Sequence, residues 1–250
     1  MIITGNTIVI TGGGSGIGRG LAHAFHEAGN VVIVAGRRAG PLEETIAGRD
    51  GMSFKLLDVG DAGAITALAA EVVAEHPGLN VLVNNAGIMK AENLLAEPFD
   101  LETPQATIAT NLLGPIRLTA ALLPHLRQQK ASTVINVTSG LAFVPLAMTP
   151  TYNATKAAMH SYSQSLGFQL RDTSVQVIEL APPAVATDLM PGHADNPNSM
   201  PLDAFITESI ELLKADPNAK EICVERVKFL RNAEATGNYD KVFEMLNQPH

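Results

Sequence analysis

Apolar, mostly β-branched runs recur along the chain, each followed by a longer stretch with helical periodicity. The runs are TIVIT (7–11), VVIVA (31–35), FKLLDV (54–59), NVLVN (80–84), TVINVTS (133–139) and VQVIELA (175–181), and they read as strands. Strands that alternate with helices build βα units. Because each run is almost continuously apolar, both of its faces need cover, as in a parallel sheet with helices on either side. The pattern predicts a doubly wound, mostly parallel α/β sheet of six or seven strands.

The longest helical stretch, 101–129, contains NLLGPIRL, where Gly114 and Pro115 should disturb the helix. In a regular helix the N–H of residue 115 bonds the C=O of residue 111, and proline has no N–H, so the Asn111 carbonyl is expected to be free. Residues 187–201, TDLMPGHADNPNSMP, carry three prolines, a glycine and several small polar residues. That composition suits a loop, and with the segment to about 215 it reads as a substrate lid. Helical segments follow with no obvious further strand, so 1–250 reads as one domain with a helical C-terminal extension.

Composition narrows the picture. At 250 residues, with 46% hydrophobic and 17% charged residues, the chain can bury a large core. Its net charge of −8 and its lack of any lysine or arginine run give no footprint for nucleic acid or an anionic membrane. The single Cys223 cannot form an internal disulfide, and the N-terminus lacks the charged and apolar regions of a signal peptide. A reducing, cytoplasmic setting is expected. No apolar run approaches the ~18 residues of a bilayer crossing, so a soluble protein is expected.

The first strand is followed by TGGGSGIGRG and then by helix-like LAHAFHEAG. Glycines 12, 16 and 18 let the backbone turn sharply, approach a ligand closely and open a helix whose free N–H groups favour a phosphate. The spacing is Gly-x-x-x-Gly-x-Gly rather than the commoner G-x-G-x-x-G fingerprint. An acidic residue at the end of the second strand would bind a ribose 2′-hydroxyl, whereas arginine there can receive a 2′-phosphate. Here that strand ends in Gly36, Arg37 and Arg38 with no carboxylate, which favours NADP(H) over NAD(H). Arg19, beyond the turn, is weaker evidence for the same preference.

Ser139 closes the fifth strand, and Tyr152 and Lys156 follow in YNATK at the start of a helix-like run. The last two share one helical face. Together with TGGGSGIG, NNAG (84–87), Asn111 and PPAVAT (182–187), they make residues 5–190 resemble the short-chain dehydrogenase/reductase family. SGLAFVPL and LAPPAV further resemble the subgroup named after an oxidoreductase of the teichoic-acid D-alanylation operon. The resemblance implies a Rossmann-type fold and an NAD(P)-dependent enzyme acting between a secondary alcohol and a carbonyl.

By the same resemblance Tyr152 is the proton donor in reduction and the acceptor in oxidation. A free tyrosine has a pKa of ~10, so a nearby Lys156 ammonium is expected to lower it, and Lys156 also reaches the nicotinamide ribose. Ser139 bonds the substrate oxygen as charge builds there. The main-chain carbonyl of Asn111 holds a water that links Lys156 to solvent. The family pattern puts Gly12, Ser15, Gly16, Ile17 and Gly18 at the pyrophosphate, and Asp58 and Val59 near the adenine. It puts Asn85, Ala86 and Gly87 beside the adenosine half and Pro182, Val185 and Thr187 at the nicotinamide. Asn84 braces the sheet. Pro183 stands where the family expects glycine.

The substrate is expected to be a small carbonyl or alcohol, with SGLAFVPLAM suggesting an apolar wall. A non-catalytic dinucleotide sensor and a dehydratase or isomerase on the same scaffold remain the alternatives. A homodimer is expected; the absence of a VDGG-like terminal turn leaves a tetramer open. His23 and His26 lack metal-site spacing, so no metal is expected. Met148, Met159 and Met190 read as gap-fillers, Met190 alone as a lid residue, and Cys223 as a small buried hydrophobe.

Overall fold

Seven strands, β1 (Thr7–Thr11), β2 (Val31–Gly36), β3 (Met52–Leu56), β4 (Leu79–Asn84), β5 (Ser132–Val137), β6 (Val175–Leu180) and β7 (Glu221–Ile222), form one sheet in the computed structural model. The structure describes residues 1–192 and 194–248. The order is β3-β2-β1-β4-β5-β6-β7, with every pairing parallel. The order reverses between β1 and β4, and a crevice opens at the carboxyl ends of strands at such a reversal.

Successive strand residues point to opposite faces, and the core is therefore double. On one face Ile8, Ile10, Val32 and Val34 pack with Leu21 and Phe25 of α1 (Gly16–Glu27) and with Phe205, Ile206 and Ile210 of α7 (Leu202–Ala215). On the other face Val9, Ile33 and Val134 meet Leu68 and Val72 of α3 (Ala62–Glu75). Leu118 and Leu122 of α5 (Gly114–Leu126) and Leu166 of α6 (Pro150–Gln169) complete this layer. Double cover explains why the strands lack a period-2 pattern. The remaining helices are α2 (Ala39–Ile46), α4 (Glu102–Ile108), α8 (Lys228–Arg231) and α9 (Tyr239–Asn247).

Three details go beyond what the sequence displayed. A seventh strand exists, but its two residues, Glu221 and Ile222, are too short to leave a periodic signal. The helix expected over 101–129 runs from α4 into α5 through a π-helical turn at Ala109–Leu113. The irregularity thus lies just before Gly114 and Pro115. Residues Glu102–Leu126 also form a segment long and apolar enough to cross a bilayer, with mean hydropathy 1.3 over its best window. Leu118, Leu122 and Leu126 of that segment are nevertheless fully buried against the sheet, so it serves as a core helix.

The loop expected over 187–201 is present in its described residues, 187–192 and 194–201, residue 193 lying outside them, and its base is closed by a parallel bridge between Val185 and Met200. Ala186 N–H donates to the Met200 carbonyl at 2.9 Å, and Met200 N–H to that of Ala184 at 2.8 Å. From 202 onward the expected lid is the regular helix α7. The C-terminal extension is helical, and α8 and α9 build a small core of Leu230, Ala233 and Val242 around Val144.

Candidate active site

The glycine turn sits at the crevice. Gly12 has φ +67°, and a Cβ there would lie 2.8 Å from Asn85 Nδ2 and 2.9 Å from Ala86 Cα. A Cβ on Gly18 would strike the Gly12 carbonyl, and one on Gly16 would lie 3.2 Å from Thr187 Cγ2. These glycines therefore allow three segments to meet where no side chain fits. Ser15 is the N-cap of α1 but makes no side-chain cap bond, which leaves first-turn N–H groups available to an anion.

Gly12, Ser15, Arg37, Arg38, Asp58, Val59, Ala86 and Gly87 line the cleft together. Other expected cofactor residues hold the wall from behind. Asn85 Nδ2 donates to the carbonyls of Thr11 at 2.9 Å and Gly12 at 3.4 Å, and Ile17 packs on the core. The Pro182 carbonyl accepts the Gly140 N–H at 2.8 Å, while Val185 is buried. Asn84 braces the sheet as expected, donating to Thr119 Oγ1 at 3.0 Å and Asn136 Oδ1 at 2.9 Å. Gly14, within the glycine turn, also lines the cleft, as do Pro41, Leu42, Ile88 and Thr110, which belong to no motif that the sequence displayed.

Among the described residues neither Arg37 nor Arg38 is ion-paired, and both are exposed at the cleft. Arg19 is committed elsewhere. Its Nη2 donates to the carbonyls of Gly14 at 2.6 Å and Pro41 at 3.2 Å and pairs with Glu44 at 3.1 Å, while its Nε donates to Thr45 Oγ1 at 3.0 Å. It buttresses the turn and α2. The tight glycines and the open helix N-terminus fit the pyrophosphate of a dinucleotide, with two guanidiniums free at the same cleft.

Beyond β5 the chain leaves the sheet at Thr138, and Ser139 starts a 3₁₀ turn, accepting the Leu141 N–H at 3.1 Å. Tyr152 and Lys156 lie in the first two turns of α6. The start of that helix is held by Glu92, whose carboxylate accepts the Thr151 N–H at 3.1 Å and hydroxyl at 2.7 Å. Ser139, Tyr152 and Lys156 are all buried. The Lys156 Nζ lies 5.5 Å from the Tyr152 ring centroid and donates to the Val137 carbonyl at 2.8 Å.

Asn111 lies within the π-turn, and its side chain is paired reciprocally with one residue. Its Oδ1 accepts the Ile88 N–H at 2.9 Å, and its Nδ2 donates to the Ile88 carbonyl at 2.8 Å. The same amide reaches Thr155 Oγ1 of α6 at 3.4 Å. Asn111 thereby joins the cleft wall to α6.

The electrostatics depart from expectation. Burial pushes the Tyr152 phenol up to about 12, and hydrogen bonding with Ser139 opposes that shift without overcoming it. Burial also pushes the Lys156 ammonium down to about 8. The lysine therefore does not acidify the phenol in this structure; loss of hydration is the dominant influence on both groups. Tyr152 is a protonated phenol at neutral pH, which suits a donor.

Sequence reading passed over one polar cluster. His160, Glu179 and Glu221 bring ligand-type atoms within 4.8 Å of one another, close to Cys223, whose thiol burial and Glu221 push up to about 12. A charged residue inside the apolar VIEL of β6 was the signal available. His23 and His26 instead bond the carbonyls of Thr45 and Asp50 through their Nε2 atoms, at 2.9 Å and 2.8 Å.

A family model described as short chain dehydrogenase matches residues 6–198. The chain belongs to that family, and its relatives make it an NAD(P)-dependent oxidoreductase. An uncharacterized oxidoreductase, DltE of Bacillus subtilis (strain 168), is 41% identical over 99% of this chain and 98% of its own. In structure, a short chain dehydrogenase from Burkholderia cenocepacia in complex with NADP covers 100% of both chains, with TM-score 0.82 at 22% identity. An alcohol dehydrogenase from Thermococcus sibiricus, complexed with 5-hydroxy-NADP, covers 88% of this chain and 95% of its own, with TM-score 0.77 at 25% identity.

Proposed function

We propose that the chain is an NADP(H)-preferring oxidoreductase that interconverts a carbonyl and a secondary alcohol, with Tyr152 exchanging the proton. The observation that carries this reading is the joint burial of Ser139, Tyr152 and Lys156, the last two on a helix that Asn111 links through Ile88 to the wall of a cleft edged by Arg37 and Arg38. The nicotinamide supplies the hydride chemistry when bound. Arg37 and Arg38 receive the 2′-phosphate, and the first turn of α1 receives the pyrophosphate.

Ser139 donates a hydrogen bond to the substrate oxygen, stabilising the charge that builds on it. Tyr152 gives its proton to the same oxygen. With the phenol raised to about 12, Tyr152 carries the proton it gives in reduction at neutral pH. Lys156 supplies positive charge next to the phenol while it remains an ammonium. The NADP complex of the Thermococcus enzyme supports the cofactor preference.

The stretch SGLAFVPLAM between Ser139 and Tyr152 gives an apolar substrate wall, closed by the 187–201 loop as a lid. Exposed Ile108 and Leu113 on the α4–α5 helix support a homodimer. A reducing, cytoplasmic compartment completes the reading, in keeping with the single Cys223. NADPH oxidation with a panel of aromatic and aliphatic ketones tests it, with Tyr152→Phe alongside. Consumption of NADPH by the wild type and not by the variant is expected; equal consumption by both proteins, or substrate loss without any redox change, refutes it.

A further inference from the structure

We propose that Glu179 is a positioning residue that sets Ser139 against Tyr152. The proposal rests on the oxidoreductase reading above for its effect on rate, but its geometry is independent of that reading. Glu179 lies in β6 with 3% of its surface exposed. Both of its oxygens are used: Oε1 accepts the Thr138 hydroxyl at 2.6 Å, and Oε2 lies 2.7 Å from His160 Nδ1. The Gln164 amide nitrogen is 3.1 Å from His160 Nε2. An amide nitrogen only donates, so Nε2 accepts and the ring proton sits on Nδ1, aimed at Glu179.

The two partners of Glu179 are neighbours of the site. Thr138 immediately precedes Ser139, and His160 follows Lys156 by one helical turn. Lys156, His160 and Ser163 occupy one face of α6 at i, i+4 and i+7. Each ties that helix to the sheet: Lys156 Nζ to the Val137 carbonyl at 2.8 Å, His160 to Glu179, and Ser163 Oγ to Asn136 Nδ2 at 2.9 Å. Among these three ties, that through Glu179 reaches the side chain of the residue next to Ser139. One carboxylate thus holds both the strand end that carries the serine and the helix that carries the tyrosine.

Stability alone does not explain it. A buried carboxylate loses its hydration, and an apolar side chain of similar volume would commonly be as stable or more so. A metal ion is the other reading of His160, Glu179 and Glu221. The Arg231 guanidinium already holds Glu221 Oε1 at 2.6 Å, and both Glu179 oxygens are bonded, so hydrogen bonds account for the cluster. Glu221, Arg231, Cys223 and Lys228 are ionisable groups of the same cluster among the described residues.

The test uses Glu179→Gln, which keeps shape but whose single acceptor oxygen cannot hold both Thr138 and His160, with Thr138→Val and Thr138→Ser as a second pair. Tyrosine is replaced throughout by a fluorinated tyrosine and the Tyr152 resonance, assigned through Tyr152→Phe, is titrated by ¹⁹F NMR. Release of Ser139 weakens its hydrogen bond to the phenolate and moves the titration to higher pH. Loss of a negative charge alone would favour the anion and move it lower. The expected result is a higher titration in Glu179→Gln and Thr138→Val, with recovery in Thr138→Ser. It is accompanied by an about tenfold or greater loss of kcat for ketone reduction while NADPH affinity stays within about twofold. An unchanged or lower titration overturns the proposal whatever the rate does. A wild type that reduces no ketone but shows the upward shift in Glu179→Gln overturns the oxidoreductase reading and leaves the positioning role standing.

Discussion

Lys156 stands 5.5 Å from the centre of the Tyr152 ring, with its Nζ bonded to the Val137 carbonyl rather than to the phenol. Both groups are shut off from water, and burial rather than their mutual charge dominates each of them. On the proposed function, proton exchange falls to the tyrosine hydroxyl. Tyr152→Phe is expected to lower kcat for carbonyl reduction by about 10²–10⁴-fold and to leave NADPH binding intact, as measured by fluorescence titration.

Lys156 also carries a cost in stability. Its pKa falls from 10.5 unfolded to about 8 folded, so between those values the unfolded chain binds more protons and stability rises with pH. Below about pH 8 the buried ammonium opposes folding. Lys156→Met is expected to abolish turnover yet raise stability at pH 7 by up to about 3 kcal/mol. Urea denaturation reads this, and the gap to wild type should narrow as pH rises from 8 toward 10.5.

The cofactor preference depends on two exposed guanidiniums. Arg37→Ala with Arg38→Ala is expected to weaken NADPH binding by about 10–100-fold, consistent with loss of charge-assisted phosphate bonds. NADH, which has no 2′-phosphate, should change by less than about threefold. Calorimetric titration of both cofactors checks it, and equal losses for the two would place the arginines outside the cofactor site.

Gly12 combines a positive φ with a close approach to backbone. Gly12→Ala would force a Cβ to within 2.9 Å of Ala86 Cα at φ +67°. A loss of about 1–3 kcal/mol in thermal unfolding is expected, together with loss of NADPH affinity. Gly29, also at positive φ but with open space around it, gives the control: Gly29→Ala should lower stability without changing cofactor affinity.

Much of the fold could be read from the chain because buried parallel strands must be apolar on both faces, as TIVIT and VVIVA are. β7 escaped because two residues carry no periodicity. Gly12, Arg37 and Arg38 were readable because turn geometry and charge are local properties. The pKa of Tyr152 was not, since its direction depends on how completely the fold excludes water, which neighbouring residues in sequence do not reveal. Glu92 and Glu179 were missed for a related reason. Their partners, Thr151 and Thr138, are 59 and 41 positions away, and only the folded chain brings them together.

The π-turn at Ala109–Leu113 accommodates one residue more than an α-helix would, which offsets the facing of everything after it by about 100°. That offset lets a single rod present Asn111 to the Ile88 backbone and Leu118, Leu122 and Leu126 to the sheet. The rod is in effect two helices with different azimuths, joined without a loop. Shortening it by one residue at that point would make the hydrophobic seating and the asparagine's pairing compete for the same rotation.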